Sequence, residues 1–282
     1  MKLCRYGKPG YEKPGLIDAE GRVHDLSKVV DSIGPNEISP RGLKMLSRVK
    51  PETLPPVNGG PRLGVPYVGI GKFVAIGLNY SDHAKEAGLP IPSEPIVFMK
   101  ATTCISGPGD DVIQPRNSTK LDWEIELGVV IGSQARYVDE AAALSHVAGY
   151  CIVNDVSERA FQMATTQWDK GKGFDTAGPI GPWLVTTDEI RDPQTLGMAL
   201  EVNGKRMQTG NTRTMVFSVA KIISHVSQYM TLLPGDIIAT GTPPGVGLGI
   251  KPTPLFLKPG DVMKLTIQGL GEQRQKVVPY PG

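Results

Sequence analysis

Cysteine is scarce. Cys4, Cys104 and Cys151 are the only three in 282 residues. They are an odd, scattered set without metal-type spacing, which implies neither a disulfide framework nor a thiolate metal centre. No segment approaches the run of about 20 apolar residues that crosses a bilayer. The opening Met-Lys-Leu-Cys-Arg-Tyr lacks the apolar core of a secretion signal. The chain is therefore expected to be soluble and cytoplasmic, with no membrane partner. Concentrated charge is missing too: 30 basic and 28 acidic residues leave a formal net charge of +2, with the basic ones spread out. Nucleic-acid recognition needs a basic stripe, so no such partner is expected.

What is present suits a globular fold. Hydrophobic residues make up 40% and charged ones 21%, enough apolar material for a real core. The length allows one large domain, or a main domain with a small appendage. Glycine (34) and proline (25) are abundant without a collagen-like period, a punctuation that suits short strands and structured loops.

Residues 1–66 read as a small N-terminal α/β domain and linker, and residues 67–282 as the main domain. Leu16–Val23 reads as a hairpin turning at Glu20-Gly21. A helix is expected after Asp25-Leu26-Ser27, and another from Ser39-Pro40. Five prolines and Gly59-Gly60 make 51–66 an extended linker. Strands are expected at 73–77, 96–100, 128–132, 150–154, 181–186, 198–202, 236–240 and 262–267. Ser81 reads as the N-cap of a helical turn that Gly88 stops. Asp139–Ala148 reads as a short helix. Residues 217–230 form the one long helix after the first hundred residues, with Val219, Ile222, Ile223, Val226 and Met230 in one stripe. Many strands with few helices predict a strand-dominated, barrel-like α+β fold.

The stretch Leu121–Gly132 carries the first chemical signal. Trp123, Ile125 and Leu127 alternate with Glu124, Glu126 and Gly128, the period of a half-buried strand. Glu124 and Glu126 then leave one face roughly 7 Å apart. This is either a solvated strand face or half of a hard-metal site. Asp155, ending the apolar run 148–154, either caps a turn or supplies a third carboxylate. Three oxygen ligands without sulfur suit Mg²⁺ or Mn²⁺. His83 and Glu86 share a helical face and are either solvated or a general base with its orienting acid. Lys170-Gly171-Lys172-Gly173 is either a surface turn or a flexible lysine donor for anionic oxygen. The glycines of 241–249 lack the spacing of a phosphate or dinucleotide loop, and no serine or cysteine sits in a nucleophile elbow.

Together these pieces resemble the fumarylacetoacetate hydrolase family over roughly residues 70–282. The likeness rests on Gly77-Leu78-Asn79-Tyr80 with His83 and Glu86, Phe98-Met99-Lys100, Glu124-Ile125-Glu126-Leu127-Gly128 and Asn154-Asp155-Val156-Ser157 with Arg159 and Gln162. It continues through Lys172-Gly173-Phe174-Asp175, Gly204-Lys205 with Gln208-Thr209-Gly210, and Thr240-Gly241-Thr242-Pro243. The N-terminal unit looks like that of longer bacterial members, among them hydrolases of 2,4-diketo-3-deoxy sugar acids. One departure is Gly173, where serine is expected after the lysine.

The resemblance implies a mixed β-sheet roll with peripheral helices, usually a homodimer. It implies that Glu124, Glu126 and Asp155 hold Mg²⁺ or Mn²⁺ and that His83 and Glu86 activate water on a lid. Lys172 would meet substrate oxygens with Gln162 and Arg159, and Thr242 would line the substrate carboxylate. The implied activity is hydrolysis of the C3–C4 bond of a 2,4-diketo acid, an acylpyruvate or diketo-deoxy sugar acid, to pyruvate and a carboxylic acid. Oxaloacetate decarboxylation, ureidoglycolate lysis and a non-catalytic metal- or carboxylate-binding module are the alternatives.

Overall fold

A computed structural model describes residues 1–282, the side chain of residue 87 apart. The dense glycine and proline punctuation yields seventeen strands, most of them short. In chain order the N-terminal part gives β1 (Lys2–Tyr6), β2 (Lys13–Ile17), β3 (Val23–Asp25) and α1 (Pro40–Leu46). Then come β4 (Phe73–Gly77), α2 (Ser81–Ala87), β5 (Ile96–Lys100), β6 (Ile105–Ser106), β7 (Val112–Ile113), β8 (Leu121–Asp122) and β9 (Ile125–Ile131). The middle holds α3 (Glu140–Ala143), β10 (Val147–Asn154), β11 (Ser157–Glu158), α4 (Arg159–Gln162), α5 (Asp169–Lys172) and β12 (Gly178–Thr186). The chain closes with β13 (Gly197–Val202), β14 (Lys205–Asn211), α6 (Val219–Tyr229), β15 (Ile237–Ala239), β16 (Val262–Ile267) and β17 (Gly271–Val278).

The strands form a large sheet in the order β3-β2-β1-β12-β10-β9-β15-β4-β5, with β6 on β12, a second sheet β14-β13-β16-β17-β7, and a two-stranded pair of β8 and β11. The first two mix parallel and antiparallel pairs and are open at their ends. The expected strand-dominated α+β fold is what is found. β16 and β17 lie against β10, and β13 against β9. This makes β9 and β10 buried along their whole length.

Several local expectations hold. β2 and β3 pair through a turn closed by Gly21 N–H to Asp18 O at 3.1 Å. Ser39 caps α1 by accepting from Gly42 N. Gly88, at φ 68°, ends α2, and α6 buries Val219, Ile222, Ile223 and Val226. Others are corrected. After Asp25 there is no helix; Ser27 N bonds to Asp25 Oδ1 at 2.8 Å and the chain turns. Such aspartate side chains compete with helical bonding. Ser81 is the first residue of α2 and leaves it uncapped, its hydroxyl donating to Thr214 O. The helix expected over 139–148 stops early, because residues from Val147 onward pair with β9.

Residues 1–66 carry β1, which pairs antiparallel with β12 (Leu3 opposite Leu184), so β1–β3 continue the large sheet. The proline-rich stretch folds back over them, Gly64 N donating to Arg5 O at 2.8 Å. Leu3, Leu26, Ile33, Ile38 and Leu46 share one hydrophobic core with β9 and β10. No helix is long and apolar enough to cross a membrane among the described residues.

Candidate active site

The pairing of β9 with β10 builds the centre. Asn154 lies opposite Ile125, so the residues just beyond the ladder, Glu124 and Asp155, are also neighbours, and Asp155 N donates to Glu124 O at 2.9 Å. Glu126, two residues along from Glu124, shares its face. Oxygens of Glu124, Glu126 and Asp155 all lie within 4.8 Å of one another, and all three residues are buried. The solvated strand face is thereby excluded: Glu124 is 6% exposed and Glu126 2%. The alternation at 121–132 assigns their shared face correctly but misjudges its cover, because the regular strand breaks between Asp122 and Ile125 and basic groups from three other segments close over it.

Burying carboxylates together is costly unless cations or hydrogen bonds compensate. Lys172 Nζ bridges Glu124 Oε2 and Asp155 Oδ2, each at 2.7 Å. Lys100 Nζ meets Asp155 Oδ1 at 2.6 Å and also the Lys172 carbonyl. Arg159 donates to Glu124 Oε1 at 2.6 Å, to Asp122 Oδ2 at 2.8 Å and to Gln162 Oε1 at 3.0 Å. Burial pushes the Glu124 carboxyl up, but the charges of Arg159 and Lys172 outweigh this and hold it well below the usual range. Burial likewise lowers the Lys172 ammonium, and Asp155 and Glu124 beside it more than restore it, leaving it raised. Glu126 receives only the Gly241 N–H, at 2.8 Å. Burial, then Asp155 and Glu124, push its carboxyl well above the ordinary value.

Lys172 thus does not ride a flexible loop. It ends α5, whose Gly171 passes so close to α4 that a Cβ would fall 2.4 Å from Gln162 N. The glycine is what lets the lysine reach the carboxylates. Thr242 is also committed: its hydroxyl donates to Ile125 O and accepts from Gln208 Nε2, both at 2.8 Å. With Ile125 N donating to Gln208 Oε1 at 3.0 Å, these side chains tie down the start of β9 where β15 has ended.

α2 faces this cluster. His83 Nδ1 lies 3.0 Å from Glu86 Oε2. Glu86 also accepts from Gly245 N at 3.0 Å and sits against Gly249, where a Cβ would come within 2.8 Å of its carboxyl carbon. Asp122, held by Gly247 N and Leu248 N, anchors the same loop to Arg159. All nine residues singled out in the sequence, His83, Glu86, Glu124, Glu126, Asp155, Arg159, Gln162, Lys172 and Thr242, line one cleft of about 440 Å³. Sequence reading did not select Lys100, Asp122 or Gln208. Lys100 left a signal, a lysine closing an otherwise apolar strand, and Gln208 stands in the Gln208-Thr209-Gly210 piece of the resemblance; Asp122 left none.

The donor set fits a hard divalent cation: three buried carboxylates, no nitrogen or sulfur ligand, and one carboxyl, Glu126, that no cation of the chain touches. Fold and site together define an enzyme scaffold of mixed sheets whose carboxylate cluster could hold a divalent metal, faced by a histidine–carboxylate pair. The chain belongs to the fumarylacetoacetate hydrolase family: the family described as fumarylacetoacetate (FAA) hydrolase C-terminal matches residues 72–278. A provisionally named hydrolase of Burkholderia multivorans is 60% identical over 276 residues, covering 98% of each chain. Among solved structures, a fumarylacetoacetate hydrolase from Exiguobacterium antarcticum is 36% identical with a TM-score of 0.89, covering 99% of this chain and 100% of its own. Maleylpyruvate hydrolase from Sphingobium sp. SYK-6 is 29% identical with a TM-score of 0.82, covering 99% and 100%.

Proposed function

We propose that the protein hydrolyses the C3–C4 bond of a 2,4-diketo acid, releasing pyruvate and a carboxylic acid. The observation that carries this reading is a histidine–glutamate pair and a hard-metal carboxylate cluster facing one cleft. Glu124, Glu126 and Asp155 would hold Mg²⁺ or Mn²⁺, which when bound supplies Lewis-acid polarisation and a template for the 1-carboxylate and 2-oxo group.

The chain's own residues do the rest. In the tautomer that donates Nδ1–H to Glu86, the His83 Nε2 is an acceptor with no partner among the described residues. It takes a proton from water as the water oxygen attacks C4, and Glu86 stabilises the imidazolium that forms. Lys172 has three N–H donors and spends two on Glu124 and Asp155. The third is available to an oxygen of the substrate, where charge develops. Gln162, its carbonyl turned to Arg159, offers its amide N–H groups to the cleft. The C3–C4 bond then breaks, its electrons pass to C3, and the proton held by His83 returns there.

The test is pyruvate release from acetylpyruvate with Mg²⁺. We expect His83→Ala to slow turnover about 10²–10⁴-fold and EDTA to abolish it. Full activity of Glu124→Ala, or in excess EDTA, overturns the reading. Decarboxylation of oxaloacetate needs no attacking water, so His83→Ala would leave it standing. Oxaloacetate turnover that survives this substitution, with acetylpyruvate untouched by the wild type, would favour decarboxylation.

A further inference from the structure

We infer that the part of the substrate beyond C4 is an apolar alkyl or aryl chain, not a polyhydroxylated one. The inference rests on the diketo-acid reading above and names its substrate class.

The cleft is divided by chemistry. Besides the carboxylate cluster with its bases, the His83–Glu86 pair and Lys251, the cleft is lined mainly by Leu89, Phe98, Met163, Trp168, Val246 and Leu248. Trp168 stands edge-on to Phe98, with ring centroids 5.4 Å apart at 67°. Its ring also lies over Gly77, where a Cβ would come within 2.6 Å of it. The indole thus fills space that any side chain at position 77 would take, which fixes a flat apolar surface in the wall. Leu89 and Met163, just after α2 and α4, are 50% and 58% exposed. Two large apolar side chains left open on the wall of one cleft are surface that an apolar ligand would cover.

Polar partners are few in this part of the cleft. Outside the charged cluster, the His83–Glu86 pair and the committed Thr242, Gln162, Lys251 and Trp168 are the lining side chains that carry a polar group, among the described residues. A tail with a hydroxyl on each carbon would strip water from several hydroxyls and leave most of them unpaired, which opposes binding. An alkyl or aryl tail meets no such penalty and gains from leaving water. A volume of about 440 Å³ lies within the range that encloses most of a ligand larger than a four-carbon acid.

The test compares two 2-oxo acids of equal length that share the metal-facing head and lack the cleavable bond. These are 2-oxohexanoate and 2-oxo-3-deoxygluconate, titrated calorimetrically into the Mg²⁺-loaded protein, with the affinity of the latter referred to its open-chain fraction because its 5- and 6-hydroxyls close on the 2-oxo group in solution. 2-Oxohexanoate is expected to bind at least about tenfold more tightly, with a more negative heat-capacity change than pyruvate. Trp168→Ala should narrow that gap severalfold; should this variant fail to fold, Leu89→Ser at the exposed wall reads the same gap. Equal or tighter binding of the hydroxylated acid, or a gap unmoved by the substitution, overturns the inference. Turnover separates it from its parent: if neither acetylpyruvate nor hexanoylpyruvate yields pyruvate, the hydrolase reading fails while the binding ratio still decides the tail.

Discussion

Glu126 and Lys172 are the two residues on which the charge balance of the site turns. Four buried acids, Asp122, Glu124, Glu126 and Asp155, face three bases, Lys100, Arg159 and Lys172, and Glu126 is the acid without a cation in hydrogen-bond contact. Its raised carboxyl fixes the sign of a pH effect. An acid whose folded pKa lies above its unfolded value of about 4.3 stabilises fully below that value and loses the contribution as pH rises through the folded one. The metal-free protein is therefore penalised by Glu126 near neutrality. In EDTA at about pH 7.5, Glu126→Gln should melt higher than wild type, the gap closing towards about pH 4.5. Mg²⁺ should raise the melting temperature of the wild type and leave the variant unmoved. A variant melting lower than wild type throughout would contradict this. Lys172→Met argues the converse. Removing one partner of a buried ion pair costs about 3–5 kcal/mol, and a divalent cation would restore positive charge between Glu124 and Asp155. The variant should lose turnover and melt lower in EDTA, yet gain more from Mg²⁺ than wild type does. Equal gains in differential scanning calorimetry would refute that account.

At the scale of elements, two glycines let short segments come close enough to position chemistry. Gly171 brings α5 onto α4. A methyl there meets backbone atoms, which cannot swing aside, so Gly171→Ala should cost about 1–3 kcal/mol of stability and displace Lys172. Gly249 is different, because the group a methyl would meet is the tip of the Glu86 side chain. Gly249→Ala should therefore spare the melting temperature and slow turnover by loosening Glu86 from His83. Comparable losses of stability in the two variants would remove the distinction. Much of this was legible in the residues. Period-two alternation put Glu124 and Glu126 on one face, and the three-residue step put His83 beside Glu86. What was not legible was long-range cover. Nothing local to 121–132 says that Lys100, Arg159 and Lys172 will close over the carboxylates, because that depends on where β5, α4 and α5 arrive in space. The Lys-Gly-Lys-Gly run misled for the same reason: glycine that signals a loose turn in isolation here serves close packing. The helix expected after Asp25 fails to a local competitor, an aspartate that satisfies the backbone itself.

For the whole molecule, the N-terminal residues bear on the stability of the site without touching it. β12 has β10 on one side and β1 on the other, so removing residues 1–66 would leave the edge of a long central strand unpaired. The same cut would strip Leu3, Leu26, Ile33, Ile38 and Leu46 from the shared core. Exposed edges and apolar surface of this kind favour aggregation. A polar tie crosses the same boundary: Arg62, itself held by Glu12 at 3.0 Å, makes a two-pronged pair with Asp110 at 2.6 Å. Such bidentate geometry is the kind of ion pair that contributes to stability. A core and a sheet shared across residue 66 should make the chain unfold as one cooperative unit. Tryptophan fluorescence, from Trp123, Trp168 and Trp183, lies entirely in the later part of the chain, whereas far-ultraviolet circular dichroism samples all of it. We expect the two urea transitions to coincide, Arg62→Ala to shift both midpoints down together, and a chain of residues 67–282 alone to be insoluble. Two separated transitions, or a soluble and active 67–282 fragment, would mean that the first 66 residues fold as an independent unit after all.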